Sequence, residues 1–244
     1  MKQLTTLLFF FLASVLAAQN CDVSNLKKDF TDAIAEGILL PNNGENNAAD
    51  CPQNVTISGT WSLTHNTSYT FAPGSVITME AGAQIIVEKG AVLTLDGTIV
   101  EGCNCLWQRI LLVGGIIVTK NGTRVQDAQY AVQAMNNSRM DISETTFRNN
   151  FIGIYVEPKQ VPFNQNIIFT TFRGNQFTAT NAGLKRKFVG IQPTPFLSNG
   201  QIDFLQIPNY SPGLRIPAMA GIYVWDLPAL NLSPNTPINS NSFN

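Results

Sequence analysis

Arg148 and Arg173 stand in two copies of one short phrase, Thr145-Thr-Phe-Arg-Asn-Asn150 and Thr170-Thr-Phe-Arg-Gly-Asn175. Every matching position is shifted by the same amount, that from Thr145 to Thr170. If that offset is one lap of a coil, the two guanidinium groups project from adjacent laps and can hold a carboxylate or sulfate between them. The plainer reading is a pair of exposed arginines beside an asparagine turn. The densest acidic group is Asp127, Asp141 and Glu144. Glycoside hydrolysis generally asks for two carboxylates about 5–10 Å apart. Asp141 and Glu144 fall on opposite faces if their strand continues. Glu80, Glu88 and Asp96 are spaced by 8, which sends them to three different corners of one lap. Lys185, Arg186 and Lys187 form a basic trio, read either as a ligand-binding cluster or as a solvated loop.

The cysteines offer covalent chemistry. There are four, Cys21, Cys51, Cys103 and Cys105, and four cysteines allow three full pairings. Cys21 and Cys51 flank a helical segment and can clip it to the body. Cys103 and Cys105 can bridge each other, bridge elsewhere or stay reduced. A zinc site is disfavoured, because Cys-x-Cys is not finger spacing and the one histidine, His65, is remote in sequence. His65 reads as a turn residue. No motif asks for a cofactor or a metal.

The elements that must position these groups follow from two rhythms. Besides the offset of the repeated phrase, Gly74, Gly82 and Gly90 step by 8, and three such steps fall one short of that offset. The simplest solution is a three-sided coil in which each side is a short strand plus a turn: an all-β chain, a parallel β-helix solenoid. Candidate strands are 55–58, 69–71, 76–79, 84–87, 92–95, 110–113, 116–119, 131–134, 140–143, 152–156 and 167–170. Asn150 and Asn175 are expected to stack one above the other, as are Phe147 and Phe172 inside the core. Ordering one lap costs about 25–50 kcal/mol of backbone entropy. Its buried aliphatics return only about 10–24 kcal/mol, so each lap needs neighbours.

Other segments frame the coil. Residues 1–18 read as a secretory signal, with an apolar run from Leu7 to Leu16 followed by Ala17 and Ala18. The run is too short to cross a bilayer, so no membrane span is expected once the signal is removed. Residues 22–53 hold a short amphipathic helix over 25–36 and a linker. Ser24 or Asp22 is the expected N-cap and Gly37 the left-handed stop. The helix is read as a cap over the open end of the coil, which then occupies 54–244. Residues 179–220, rich in proline, form a loop excursion. Afterwards Gly221-Ile-Tyr-Val224 echoes Gly153-Ile-Tyr-Val156, and the last residues resemble the Phe-and-Asn turn again. Ending inside that motif, the chain reads as part of a longer protein. The net charge of −1, with 13% charged residues, gives no field for nucleic acid.

One family fits these residues. Pro73-Gly74, Gly82-Ala-Gln-Ile-Ile-Val-Glu-Lys-Gly90, Leu93-Thr-Leu-Asp-Gly97, Cys105-Leu-Trp-Gln108, Asn121-Gly122, Asp127-Ala128 and Thr145-Thr-Phe-Arg-Asn-Asn150 occur in that order. Together they resemble secreted right-handed parallel β-helix proteins of the Bacteroidota type, with the pectin-lyase-like fold. Arg109 departs from that pattern, which usually has glycine there. The resemblance implies a surface or secreted protein and leaves its activity open. The expectation is a non-catalytic structural, adhesion or glycan-binding module whose partner is an extracellular glycan or another surface protein. The alternative is a polysaccharide lyase or glycoside hydrolase using Asp141, Glu144, Arg148 and Arg173. For the binding module, Arg148, Arg173, Lys185, Arg186 and Lys187 are the candidate contacts.

Overall fold

The computed structural model describes residues 23–42, 47–103, 105–156, 167–179, 220–224, 230–232 and 242–243. The signal segment and the basic trio Lys185, Arg186 and Lys187 lie outside the described residues, as does Cys21. In chain order the elements begin with β1 (Lys27–Asp29), α1 (Phe30–Ala35), β2 (Asn54–Ile57), β3 (Thr60–Leu63), β4 (Ser68–Phe71) and β5 (Val76–Met79). They continue with β6 (Gln84–Val87), β7 (Val92–Asp96), β8 (Ile99–Gly102), β9 (Trp107–Val113), β10 (Ile116–Lys120), β11 (Arg124–Gln126) and β12 (Ala128–Met135). The last are β13 (Arg139–Ser143), β14 (Thr146–Arg148), β15 (Ile152–Val156), β16 (Ile167–Arg173), β17 (Gln176–Thr178), β18 (Ala220–Val224), β19 (Leu230–Leu232) and β20 (Ser242–Phe243).

From β2 onward every third strand joins the same sheet. Sheet A orders β1-β3-β6-β9-β12-β15-β18, sheet B orders β2-β5-β8-β11-β14-β17-β20, and sheet C orders β4-β7-β10-β13-β16-β19. The pairs within each sheet are parallel. The chain therefore circles B, A, C and stacks each lap on the last, which is the expected parallel β-solenoid. No helix among the described residues is long and apolar enough to cross a membrane.

Alternation places the core inside the coil. In sheet B, Val55, Ile77, Val100, Val125, Phe147 and Phe177 align by register and are buried. In sheet C, Tyr69, Leu93, Ile117, Met140 and Phe169 do the same. The corners need left-handed backbone. Gly74, Gly82 and Gly90 occupy three successive corners with φ of +85°, +66° and +74°, which accounts for the rhythm of eight. At Gly59 a side chain is also excluded by space, because a Cβ would lie 2.3 Å from the Leu26 carbonyl oxygen.

The repeated phrase does not mark one lap. Phe147 pairs with Phe177, and their rings stack at 4.9 Å, whereas Phe172 belongs to sheet C beside Ile142. The lap that starts at Phe147 therefore closes at Phe177, beyond the second copy of the phrase. The asparagines are likewise out of phase. Asn175 accepts from Thr145 N at 3.1 Å and donates to Ile142 O at 3.0 Å. It tops a buried corner column of Ser75, Thr98, Thr123 and Thr145. Thr98 and Thr123 use their hydroxyls in the same way, donating to Phe71 O at 3.2 Å and Leu95 O at 2.8 Å. Asn150 sits at another corner, accepting from Ala128 N and donating to Val125 O. Each asparagine clamps the lap beneath it, so the two do not stack on each other.

The expected helix is shorter than read. Residues 27–29 form an edge strand on β3, and just before it the Leu26 carbonyl accepts from Thr60 N at 2.7 Å. Asp29, not Ser24 or Asp22, is the N-cap, accepting from Asp32 N at 2.7 Å. Gly37 does stop the helix at φ +72°. Phe30 enters an aromatic box, with ring centroids 6.0 Å from Trp61, 5.1 Å from Tyr69 and 6.3 Å from Phe71.

Tyr69 links that box to solution conditions. Its hydroxyl donates to Leu40 O at 2.9 Å and accepts from Gln53 Nε2 at 3.0 Å. Burial pushes its pKa from 10.0 up to about 12, with the Gln53 hydrogen bond pulling the other way. The folded chain holds this proton more tightly than the unfolded chain. Its stabilising contribution is therefore intact below pH 10 and lost as pH rises toward 12. Denaturant melts across that window are expected to show stability falling as this group ionises. In Tyr69→Phe this part of the pH dependence is expected to vanish.

Candidate functional site

Sheet A differs from the other two on its outer side. Strands such as β5, β7 and β10 alternate buried inward residues with half-buried outward ones. In sheet A, β3 and β6 alternate too, but β12 and β15 are buried on both faces. Outward residues there include Gln133, 2% exposed, and Tyr130 and Tyr155, each 7% exposed. Both lengthened laps also border this sheet. In sheet C, Arg139 pairs with Ile116 on one side and Ile168 on the other, so the later lap is the longer. In sheet A, Ile152 pairs with Tyr130 on one side and Ala220 on the other, and the difference is larger still. The first insertion follows the end of β15 and the second precedes β18. The excursion expected over 179–220 thus returns in register, with Tyr223 pairing Tyr155.

A hydrogen-bonded row crosses this face. Gln84 Nε2 donates to Thr60 Oγ1 at 3.0 Å. Arg109 donates from Nε to Gln84 Oε1 at 3.0 Å and from Nη1 to Gln133 Oε1 at 2.8 Å. The guanidinium therefore spans three strands and meets two neutral amide oxygens. Parallel register sets Gln84 directly opposite Arg109, and the long guanidinium then reaches diagonally to Gln133, whose register partner on β9 is Leu111 rather than Arg109. Beside it the Tyr130 and Tyr155 rings stack at 5.0 Å with 24° between planes. The register slips by one residue between Tyr130 and Val132, a bulge of the kind that re-aims side chains near working sites. Gln129, 3% exposed on the same strand, has a buried Nε2 with no hydrogen-bond partner.

In the sequence Arg109 stands out only as a departure from a pattern, and nothing marks Gln84, Gln133, Tyr130 or Tyr155 as functional. Their signal was spacing by a lap, visible only once the register ties Thr60 to Gln84 and Gln84 to Arg109. Trp107 is fully buried against the stack, and its Nε1 donates to Gln126 O at 2.8 Å.

The expected arginine pair is not assembled. Arg148 lies on sheet B between Gln126 and Thr178, whereas Arg173 ends β16 on sheet C beside Ser143. They part company because the phrase that carries them falls on different sides of the coil. Asp141 is half-buried on sheet C, between Val118 and Thr171. Glu144 is exposed at the corner between sheets C and B, where its N–H donates to Arg173 O at 2.9 Å. Glu80, Glu88 and Asp96 follow or end β5, β6 and β7 on three different sheets, as expected. His65 is exposed in a turn. Among the described residues, no group of three His, Cys, Asp or Glu is placed to hold a metal.

Glu144 has left-handed backbone, with φ of +49°. At this corner the adjacent laps carry Asn121 at +54° and Gly174 at +65°, and Gly97 at +52° lies one lap further on. A left-handed non-glycine residue costs about 1–2 kcal/mol, and glycine's extra unfolded-state freedom takes back about half. Glu144→Gly is therefore expected to raise the unfolding midpoint, by about 0.5 kcal/mol net.

The cysteines resolve in part. Cys105 is disulfide-bonded, and Cys51 and Cys103 are free thiols. This excludes both a Cys103–Cys105 bridge and a clip through Cys51. Cys103 is exposed just after the end of β8, which leaves its thiol to solvent. No protein-family model, no curated protein and no solved structure matches the chain.

Proposed function

We infer that this chain is an exported, non-catalytic module that binds an extracellular glycan or another surface protein through the outer face of sheet A. The observation that carries the reading is the Arg109 row. A cation held between Gln84 and Gln133, beside stacked tyrosines, sits on the one sheet that both lap insertions border. Gln84, Gln108 and Arg109 are half-buried and form the accessible part, and the covered Tyr130–Tyr155 pair walls one side. Planar amide and guanidinium groups suit sugars, whose hydroxyls bond to them in plane. The guanidinium adds a preference for a carboxylated or sulfated unit. The same reading takes 1–18 as an export signal, α1 as cover for the first lap and the coil as right-handed.

Catalysis by Asp141, Glu144, Arg148 and Arg173 draws no support from their placement on sheets B and C and the corner between them. A glycan array with the full chain, with pectin and alginate turnover assayed in parallel, tests the reading. Binding without turnover, weakened at least tenfold by Arg109→Ala in a variant that keeps its melting transition, is the expected result. Release of unsaturated uronides, or binding indifferent to Arg109→Ala, would overturn it.

A further inference from the structure

Arg148, parted from Arg173, has a different arginine beside it. On sheet B, β11 and β14 are neighbours, with Arg124 opposite Thr146 and Gln126 opposite Arg148. Arg124 and Arg148 flank the buried Val125 and Phe147, so by alternation both point outward. They are diagonal neighbours, about 8 Å apart between Cα atoms by strand spacing and rise. No described carboxylate forms an ion pair with either guanidinium. Arg148 is exposed. Arg124 is half-buried, and its Nε is shut off from solvent with no hydrogen-bond partner among the described residues. A covered N–H on a charged group is costly without an acceptor, and such orphans call for an explanation. Two acids come near in the ladder. Glu101 stands two residues past Ile99, the β8 partner of Arg124, and Gln126 Nε2 holds its Oε2 at 3.0 Å. Glu144 stands two residues before Thr146, exposed at the corner. Arg139 and Arg173, also exposed, lie four ladder positions apart on sheet C and do not converge.

We propose that Arg124 and Arg148 form an oxyanion site on the outer face of sheet B, which takes the carboxylate or sulfate group of an acidic ligand. An oxyanion between them accepts hydrogen bonds from both guanidinium groups. As the end of the Arg124 side chain turns outward, its Nε–H gains the acceptor that the protein withholds. Arg148 closes on the same group from the next lap. The planar, weakly hydrated guanidinium suits this contact better than an ammonium, so lysine serves poorly at either position. Glu101 opposes the anion from the lap below and sets a limit on its affinity. The site stands on sheet B alone and does not rest on the reading of the Arg109 face.

The test titrates the isotope-labelled full chain with sodium sulfate and, separately, with sodium acetate, against chloride at matched ionic strength. The arginine Nε–H resonances are the readout. With at least one of the two salts, Arg124 and Arg148 should shift to saturation with one shared dissociation constant. The salt that saturates at lower concentration names the preferred group. Arg109, held between Gln84 and Gln133, should not follow, nor should Arg139 and Arg173. Arg148→Lys, at an exposed position that leaves the packing untouched, should weaken the Arg124 response about tenfold. Glu101→Gln should strengthen it. Arg109→Ala should leave the titration unchanged, so the two faces succeed or fail separately. Shifts that never saturate with either salt, equal shifts at every exposed arginine, or saturation at Arg124 that survives Arg148→Lys would overturn the proposal.

Discussion

Trp107→Ala is expected to be the most damaging single substitution, lowering unfolding free energy by about 4 kcal/mol. The indole is 0% exposed and fills the interior where β9 enters sheet A. Removing it leaves a cavity that the backbones on either side, locked in parallel ladders, cannot close. It also deprives the Gln126 carbonyl of the 2.8 Å bond from Nε1. Trp107→Phe separates the two effects. It keeps most of the packing and loses the hydrogen bond, so its expected cost is about 1–2 kcal/mol. Urea midpoints of the two variants check the ordering. A domain of ordinary stability has roughly 5–15 kcal/mol in hand, so the alanine variant should still fold, with an early transition.

The second large effect is expected at Asn175. Its amide satisfies a buried N–H on Thr145 and a buried carbonyl on Ile142, a whole lap below. Asn175→Val removes both partners at similar volume, and two unsatisfied buried backbone groups cost about 3 kcal/mol together. Asn175→Thr should cost only about 1 kcal/mol. A hydroxyl at this corner can donate downward, as Thr98 and Thr123 do on lower laps. An equal loss in both variants would show that the corner column is not what holds this lap. Hydrogen exchange at the Thr145 amide provides the local readout, with protection lost in Asn175→Val.

Much of the architecture was legible because strand alternation and corner backbone write directly into sequence. Inward apolar residues mark β5, β6 and β7 cleanly, and glycine fills the left-handed corners at Gly74, Gly82 and Gly90. Strands β1, β3, β8, β11, β14 and β17 are less legible in the sequence. Of these, β11, β14 and β17 have a single buried inward residue each, Val125, Phe147 and Phe177, which leaves no alternation to count. The lap period is obscured in the sequence for a physical reason. On a three-sided coil every side solves the same problem, so the same words recur by side as well as by lap. Both copies of the Thr-Thr-Phe-Arg phrase supply an inward Phe, then a left-handed residue, Asn149 at +53° or Gly174 at +65°, and then a clamping Asn. Only the pairing of strands distinguishes the two cases, and an insertion between β15 and β16 hid the true spacing. The candidate site was hidden with it. Gln84, Arg109 and Gln133 look unrelated until lap lengths bring their three strands side by side. The echo at 221–224 was read in phase because its Ile-Tyr-Val run repeats on the same sheet.

Register is what selects sheet A over the Arg148–Arg173 pair, so a direct probe of register is the sharpest test. Paired cysteines are introduced at outward positions in a background with the native Cys51 and Cys103 replaced by serine. Arg148 and Thr178 are lap neighbours on sheet B, about 4.8 Å apart across the ladder. Arg148→Cys with Thr178→Cys should form a disulfide under mild oxidation, and Arg148→Cys with Arg173→Cys should not. Efficient bridging of the second pair and failure of the first would contradict the stacking described here and return the arginines to a common face.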